Sequence, residues 1–229
     1  MPHALHMRWI DLAFLHWRVQ AEEVRRLLPA ELELDLFDES AWLGVIPFRM
    51  TGVRPLFSPP IPTASDFPEL NVRTYVRHGG RSGVWFFSLD AASWLAVKGA
   101  RTATGLPYFH ARMRERRDGD AIEYESARTH PGAAPAELSA RYRPTSPVSL
   151  AEAGSLDYWL TERYSLFAIR AERLLRLDIE HERWPLQHAT AEIERNTMAG
   201  ASGITLPPDE PHVRFAGQLD VVAHWPVAP

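Results

Sequence analysis

Apolar and polar residues alternate at period two along much of this chain, the pattern of strands that bury one face. The clearest case is Phe67 to Val76, Phe-Pro-Glu-Leu-Asn-Val-Arg-Thr-Tyr-Val. It predicts a strand with Leu70, Val72, Thr74 and Val76 on one face and Glu69, Asn71, Arg73 and Tyr75 on the other. His78 to Gly83 predicts a turn into a second strand, Val84 to Asp90, within which Val84 to Leu89 is the most apolar run in the chain. A neighbour that apolar is buried on both faces. The polar row beside it is therefore a candidate lining for an interior cavity, the alternative being a solvated sheet face.

The remaining pattern is also strand-rich. Residues 8–19 read as a buried strand, and Ala21 to Leu28 as a short helix ended by Pro29. Leu32 to Phe37 predicts a half-exposed strand that turns at Asp38-Glu39-Ser40 into a strand over Ala41 to Met50, a hairpin. Gly52 to Asp66 contains Pro55, Pro59, Pro60 and Pro62 and predicts a long irregular loop, the kind that forms lids and pocket walls. Ala91 to Thr104 predicts a helix, with Gly105 as its stop and Pro107 beyond. Strands follow at Tyr108 to Arg116, Ala121 to Thr129 and Leu138 to Arg143. Ser149 or Ser155 caps a helix that runs to about Arg163. Further strands are expected at 165–170, 173–183 and 213–222, with a turn at 184–188. Ala189 to Asn196 reads as helix or strand. The sum is about ten strands, mostly in hairpin order, with three or four short helices inserted. That predicts a mostly β protein built on a curved antiparallel sheet, closed or nearly so to remove its edges. No linker divides the chain, so a single domain over residues 1–229 is expected.

Composition narrows the function. The 229 residues are 45% hydrophobic and 24% charged, enough for a sizeable core. A net charge of −4 leaves no basic footprint, which argues against a nucleic-acid partner. With no cysteine, disulfides, thiolate catalysis and cysteine-bound metal are ruled out. No apolar run approaches a membrane span, and the first residues lack the order of a signal peptide, so a cytoplasmic protein without a membrane partner is expected. Lys98 is the one lysine among 25 basic residues. Imine chemistry would need Lys98 or the N-terminal amine, because arginine stays protonated. With Trp94 at i−4 and Arg101 at i+3, Lys98 is either desolvated and crowded by a cation, or a surface lysine resting on its stem.

Motifs add little. No phosphate loop, dinucleotide fingerprint or nucleophile elbow occurs, and no cofactor is expected. Asp178, Glu180, His181 and Glu182 cluster without converging, so no metal is expected either. His3 and His6 read as part of a ragged N-terminus, and His188 as structural. His16 sits in an apolar strand, as a satisfied core histidine or as a near-neutral group in a site.

Several segments together carry a family resemblance. Arg8-Trp9 with Phe14-Leu15-His16-Trp17, then Ala41-Trp42-Leu43-Gly44-Val45-Ile46-Pro47-Phe48, then Phe67 to Val76, then Gly105-Leu106-Pro107-Tyr108, resemble the YqjF-like family of bacterial proteins of unassigned function. That family is similar in fold to the acetoacetate decarboxylase-like superfamily. The resemblance implies an acetoacetate decarboxylase-like barrel around a small-molecule pocket, in a superfamily that often forms homo-oligomers. In its decarboxylases a Gly-x-Pro-Lys-Lys segment supplies the Schiff-base lysine and a neighbour that lowers its pKa, and a carboxylate on the earlier polar strand assists. Here Gly105-Leu106-Pro107-Tyr108-Phe109 stands in that place without a lysine, and Glu69 matches the carboxylate.

The expected site follows. Glu69 is the acid/base candidate and Tyr108 a catalytic hydrogen-bond donor. Arg73 is the carboxylate binder, with Asn71, Tyr75 and His16 as further substrate-binding groups. The expected ligand is a small oxo acid or similar anionic organic compound, turned over without a Schiff base. The alternative is a non-catalytic binding or sensing domain.

Overall fold

The computed structural model describes residues 3–55, 59 and 65–229. Its strands, in chain order, begin with β1 (His3–Val19), β2 (Glu33–Leu34), β3 (Ala41–Pro55), β4 (Phe67–His78) and β5 (Arg81–Ala91). Then come β6 (Tyr108–Asp118), β7 (Ala121–Arg128), β8 (Glu137–Pro144), β9 (Ser165–Arg170), β10 (Arg173–Glu180), β11 (Leu186–Asn196) and β12 (His212–His224). Helices α1 (Ala21–Arg26), α2 (Trp94–Thr104) and α3 (Leu156–Thr161) interrupt them.

One 12-stranded sheet contains all of these strands, and it closes twice. The first closure is a nine-stranded barrel through β12, β1, β3, β4, β5, β6, β7, β8 and β11. The second runs from β5 through β9 and β10 back to β12, where Ile179 and Glu180 pair with Ala223 and Val222. The two rings share the wall β12-β1-β3-β4-β5, whose middle, at residues 11–17, 43–46 and 70–72, is buried on both faces. Closure removes the exposed edges a curved sheet would otherwise present.

Side-chain alternation fills both interiors. Ala13, Leu15, Leu43, Val45, Leu70 and Val72 pack into the nine-stranded ring against Ile122, Tyr124, Leu138 and Tyr142. Phe14, Ile46, Phe48, Phe67 and Ala91 face the other ring with Ile179, Trp184 and Val221. Asp11 carries the left-handed φ of 55°, close to where β1 slips register against β3. Across that bulge the residues facing the second interior change from Met7 and Trp9 to Leu12 and Phe14.

The mostly β class and the closing sheet are as the sequence predicts, and several local readings are corrected. Leu32 to Phe37 does not form a hairpin with β3. Only Glu33 and Leu34 are extended, and they pair with Val76 and Arg77 on β4. Asp38 and Glu39, both at positive φ, bend the chain too sharply for a ladder, leaving one bridge between Phe37 and Ser40. The sheet is not wholly antiparallel, because α2 serves as a crossover and β5 pairs in parallel with β6 and β9. Residues 189–196 are strand, and β11 starts at Leu186, directly after Pro185, which could not donate to a ladder. β1 begins at His3, so His6 belongs to a paired strand. β3 continues to Pro55, and most of the loop expected over 52–66 lies outside the described residues.

Gly83 makes the second closure possible. A Cβ there would lie 2.6 Å from the Ser165 carbonyl oxygen and 2.7 Å from the Phe167 ring. The absent side chain lets β9 lie against β5. Gly83→Ala is expected to destabilise the fold by about 1–3 kcal/mol through forced separation of these strands. A thermal melt would show it as a loss of several degrees, and an unchanged melting temperature would mean that β9 does not rest on Gly83.

Candidate functional site

Strand β4 carries the polar row into the second, smaller ring. The opposite face of β4 is fully committed to the nine-stranded core, with Leu70, Val72 and Thr74 at 0% exposure. Alternation then leaves Glu69, Asn71, Arg73 and Tyr75 nowhere to point but inward. Glu69 and Asn71 are buried, as is Tyr75, and Arg73 is partly buried.

Glu69 is the most perturbed of the four. Its Oε1 accepts a long, 3.4 Å hydrogen bond from the Tyr108 hydroxyl, and its Oε2 has no partner among the described residues. Burial disfavours the carboxylate and pushes its pKa up to about 8, with the Tyr108 bond opposing and the charge of Asp90 adding. Asp90 lies on the neighbouring strand, held by Arg128 through two 2.7 Å hydrogen bonds. At neutral pH, Glu69 is thus mainly a neutral acid in equilibrium with its carboxylate. Tyr108 itself is pushed well above its usual range by burial and by the neighbouring Glu69. The backbone below is fixed from the other ring, where the Tyr124 hydroxyl reaches the carbonyls of Glu69 and Phe48 at 2.7 and 3.2 Å.

The other end of the row is cationic. Arg73 Nη2 donates to the Leu160 carbonyl on α3 at 3.3 Å, and its Nε has no partner among the described residues. Its guanidinium lies 5.8 Å from the centroids of both Phe14 and Tyr75. Nearby, Arg163 stacks on Trp159 at 4.5 Å, but its charge is matched by Asp35 at 2.7 Å, both side chains being nearly inaccessible. His16 Nε2 meets the Tyr75 hydroxyl at 2.6 Å. Burial and the charge of Arg73 hold His16 well below the usual histidine range, so its imidazole is neutral. The Tyr75 oxygen faces the guanidiniums of Arg73 and Arg163, and its proton therefore turns to His16. Gly44, opposite His16, is what admits the ring: a Cβ there would lie 3.0 Å from its Nε2.

Beside this row, across β3 on the same wall, lies an aromatic cluster that was not singled out from the sequence as part of a site. Phe14 meets Trp184 edge-on at 4.9 Å, Trp184 stacks with Trp9 at 5.8 Å, and His181 lies 5.1 Å from Trp184. The indole nitrogens of Trp9 and Trp184 are buried without partners among the described residues. His181 Nδ1 meets the Glu182 carbonyl at 2.6 Å, which makes it the donor and leaves Nε2 as an acceptor. Pairing Trp9 with Trp184 requires the fold.

The other sequence candidates are placed as follows. Tyr108 does not stand opposite the row: it enters on β6 beside β5 and meets Glu69 directly. Lys98 is exposed on α2, and Trp94 beside it is 50% exposed, so neither desolvation nor a site environment activates it. It lines a surface groove with Leu95, Arg170 and Trp225. Phe109 faces away from the row, stacked under Arg128 at 4.2 Å. His188 is exposed. Among the described residues no group of three or more acidic and histidine side chains is placed to hold a metal. Asp178 is bound by Ser165 and Arg176, and Glu180 by His224. No helix is long and apolar enough to cross a membrane among the described residues.

Comparison with known proteins agrees with this architecture. Among solved structures, the acetoacetate decarboxylase of Legionella pneumophila superposes with a TM-score of 0.69 at 14% identity, covering 97% of this chain and 86% of that one. The enduracididine biosynthesis enzyme MppR, in complex with pyruvate, gives 0.67 at 14% identity, over 99% of this chain and 90% of that one. An acetoacetate decarboxylase-like enzyme from Sphingomonas wittichii RW1 gives 0.64 at 15% identity, over 99% and 93%. At these identities the likeness is one of fold. In sequence, the uncharacterized protein YqjF of Bacillus subtilis (strain 168) is 47% identical over 223 residues, 97% of this chain and 91% of that protein. The model of the uncharacterized conserved proteins DUF2071 matches residues 6–220, and the chain belongs to that family, on an acetoacetate decarboxylase-like fold.

Proposed function

We propose that the smaller ring binds an anionic oxo acid and moves a proton at the carbon next to its carbonyl. The observation that carries this reading is the pairing, on one strand face, of a buried carboxyl of raised pKa with a guanidinium whose Nε has no partner among the described residues. Arg73 takes the carboxylate. Glu69, as carboxylate, removes a proton from carbon; the electron pair of that C–H bond passes to the carbonyl oxygen, and the resulting enolate regains a proton from Glu69. The Tyr108 hydroxyl, beside Glu69, donates a hydrogen bond to the oxyanion. Asn71 lies between them with a free Oδ1 and orients the ligand. Tyr75, held by His16, lines the Arg73 end. Pyruvate, the ligand in the MppR complex, is itself an oxo acid, which supports the class. No interior lysine joins the site, so the chemistry is acid–base rather than imine. The same absence favours a second reading, a binding or sensing domain without turnover.

Three outcomes are expected. Arg73→Ala should abolish oxo-acid binding in calorimetry, and retained affinity would remove Arg73 from the site. Glu69→Gln should bind the acid but lose solvent deuterium incorporation next to the carbonyl, followed by NMR. In the native protein that incorporation should rise about tenfold per pH unit below 8 and level off above it, because the carboxylate is the reactive form. Binding without deuterium incorporation in the native protein would establish the second reading. Stability should respond in the opposite sense to pH. The folded state holds a proton that the unfolded chain releases near pH 4.3, so stability is full below that value and declines as pH rises toward 8. Melting temperatures from pH 5 to 9 should therefore fall more steeply in the native protein than in Glu69→Gln. Parallel slopes would mean that Glu69 ionises normally.

A further inference from the structure

A separate cavity lies on the outer side of α2, and no residue of the β4 row lines it. The helix is anchored through the buried Val97. Leu95, Lys98, Gly99, Thr102 and Ala103 recur at the three- and four-residue spacing of a single helix face, and all five are exposed. Facing them are Arg170 on β9, Leu175 on β10 and Trp225, just past β12. That second wall is tied down, because Arg176 on β10 and Val227 exchange two backbone hydrogen bonds of 2.9 Å. The groove between the walls has a volume of about 770 Å³, the size of a small-molecule site.

Two features define what fits. The first is an apolar groove cut deep by a missing side chain. Leu95 and Trp225 are 59% and 53% exposed. Gly99 sits one turn from Leu95 in the helix interior, where glycine weakens a helix relative to alanine. A Cβ there would meet nothing within 4 Å, so the space above Gly99 is open. The second feature is charge of one sign. Lys98, the one lysine of the chain, and Arg170 line the groove, and no carboxylate does. Neither makes an ion pair among the described residues, and Arg170 uses Nη1 to donate to the Ala103 carbonyl at 2.8 Å.

We infer that this groove binds a free medium-chain fatty acid, with its carboxylate on Lys98 and Arg170 and its alkyl chain on Leu95, Trp225 and the floor at Gly99. An exposed ion pair contributes little by itself. The apolar chain therefore supplies most of the affinity, and the two cations select the sign of the head group. An alkyl chain also needs no hydrogen bonds from the lining. A protein partner suits the site less well, since the lining is one helix face and three short pieces of chain, whereas a stable protein interface takes about 20–30 residues a side. A net charge of −4 likewise disfavours an anionic bilayer.

The test is calorimetry with hexanoate, octanoate and decanoate, each below its micellar concentration, and with decanol and decyltrimethylammonium as neutral and cationic counterparts. Affinity should rise at least threefold for each two methylenes, approaching about tenfold where they are fully buried. Decanoate should bind at least threefold more tightly than decanol, and decyltrimethylammonium should not bind. Gly99→Leu fills the groove at a position with room for a side chain and a gain in helix propensity, so its melting temperature should hold or rise while decanoate affinity falls at least tenfold. Lys98→Glu, on the exposed face, should cause a similar loss. Equal binding of decanoate, decanol and decyltrimethylammonium would overturn the carboxylate class. Undiminished decanoate binding in both variants would overturn the groove as its site. No binding of any of the acids, or binding of anionic vesicles but of no free acid, would overturn the inference.

Discussion

Everything at the site depends on β4 being buried on both faces. A strand in the wall of a single barrel can turn its polar residues to water. β4 stands in the wall common to two rings, and its Leu70, Val72 and Thr74 face is already sealed in the larger one. The pleat then drives a carboxyl, an amide and a phenol into the smaller ring, with a guanidinium beside them. Dehydration follows from that placement, and the raised pKa of Glu69 follows from dehydration. The Tyr124 hydroxyl reaches the Glu69 and Phe48 carbonyls from the far side and holds the strand that carries Glu69 in register.

The two ends of the row are tuned in opposite directions by their neighbours. Around Glu69 the nearest charge is Asp90, neutralised by Arg128 but still favouring the protonated acid. Around Arg73 lie Arg163, His16 and Tyr75. Arg163 is occupied by Asp35, and His16 stays uncharged because burial and Arg73 both oppose its protonation. A guanidinium thereby lies at one end of the row and a carboxyl of raised pKa at the other. The fold is acetoacetate decarboxylase-like, and within it the Tyr108 hydroxyl donates to the Glu69 carboxyl at 3.4 Å.

Much of this was legible in the chain because period-two alternation is local information. The β4 pattern, its turn into β5 and Gly105 ending α2 each need only neighbouring residues. The inward direction of Glu69 was inferred from one apolar neighbour, Val84 to Leu89, and that inference rested on burial. The aromatic cluster was not legible. Trp9 and Trp184 are 175 positions apart and meet only because β1 and the segment before β11 both flank β12. The second closure was equally hidden, since the space that admits β9 is the missing side chain of Gly83 in a turn-like sequence. Of the two readings of Lys98 the surface one holds, because the helix face it shares with Trp94 and Arg101 looks outward.

The ionisation of Glu69 tests the central claim most directly. NMR titration of protein labelled at the glutamate side-chain carboxyl should show one glutamate titrating near pH 8, and that resonance should vanish in Glu69→Gln. If every glutamate titrates near 4.3, the ordinary value, Glu69 is hydrated, and the smaller ring is not the dry, proton-exchanging chamber described above.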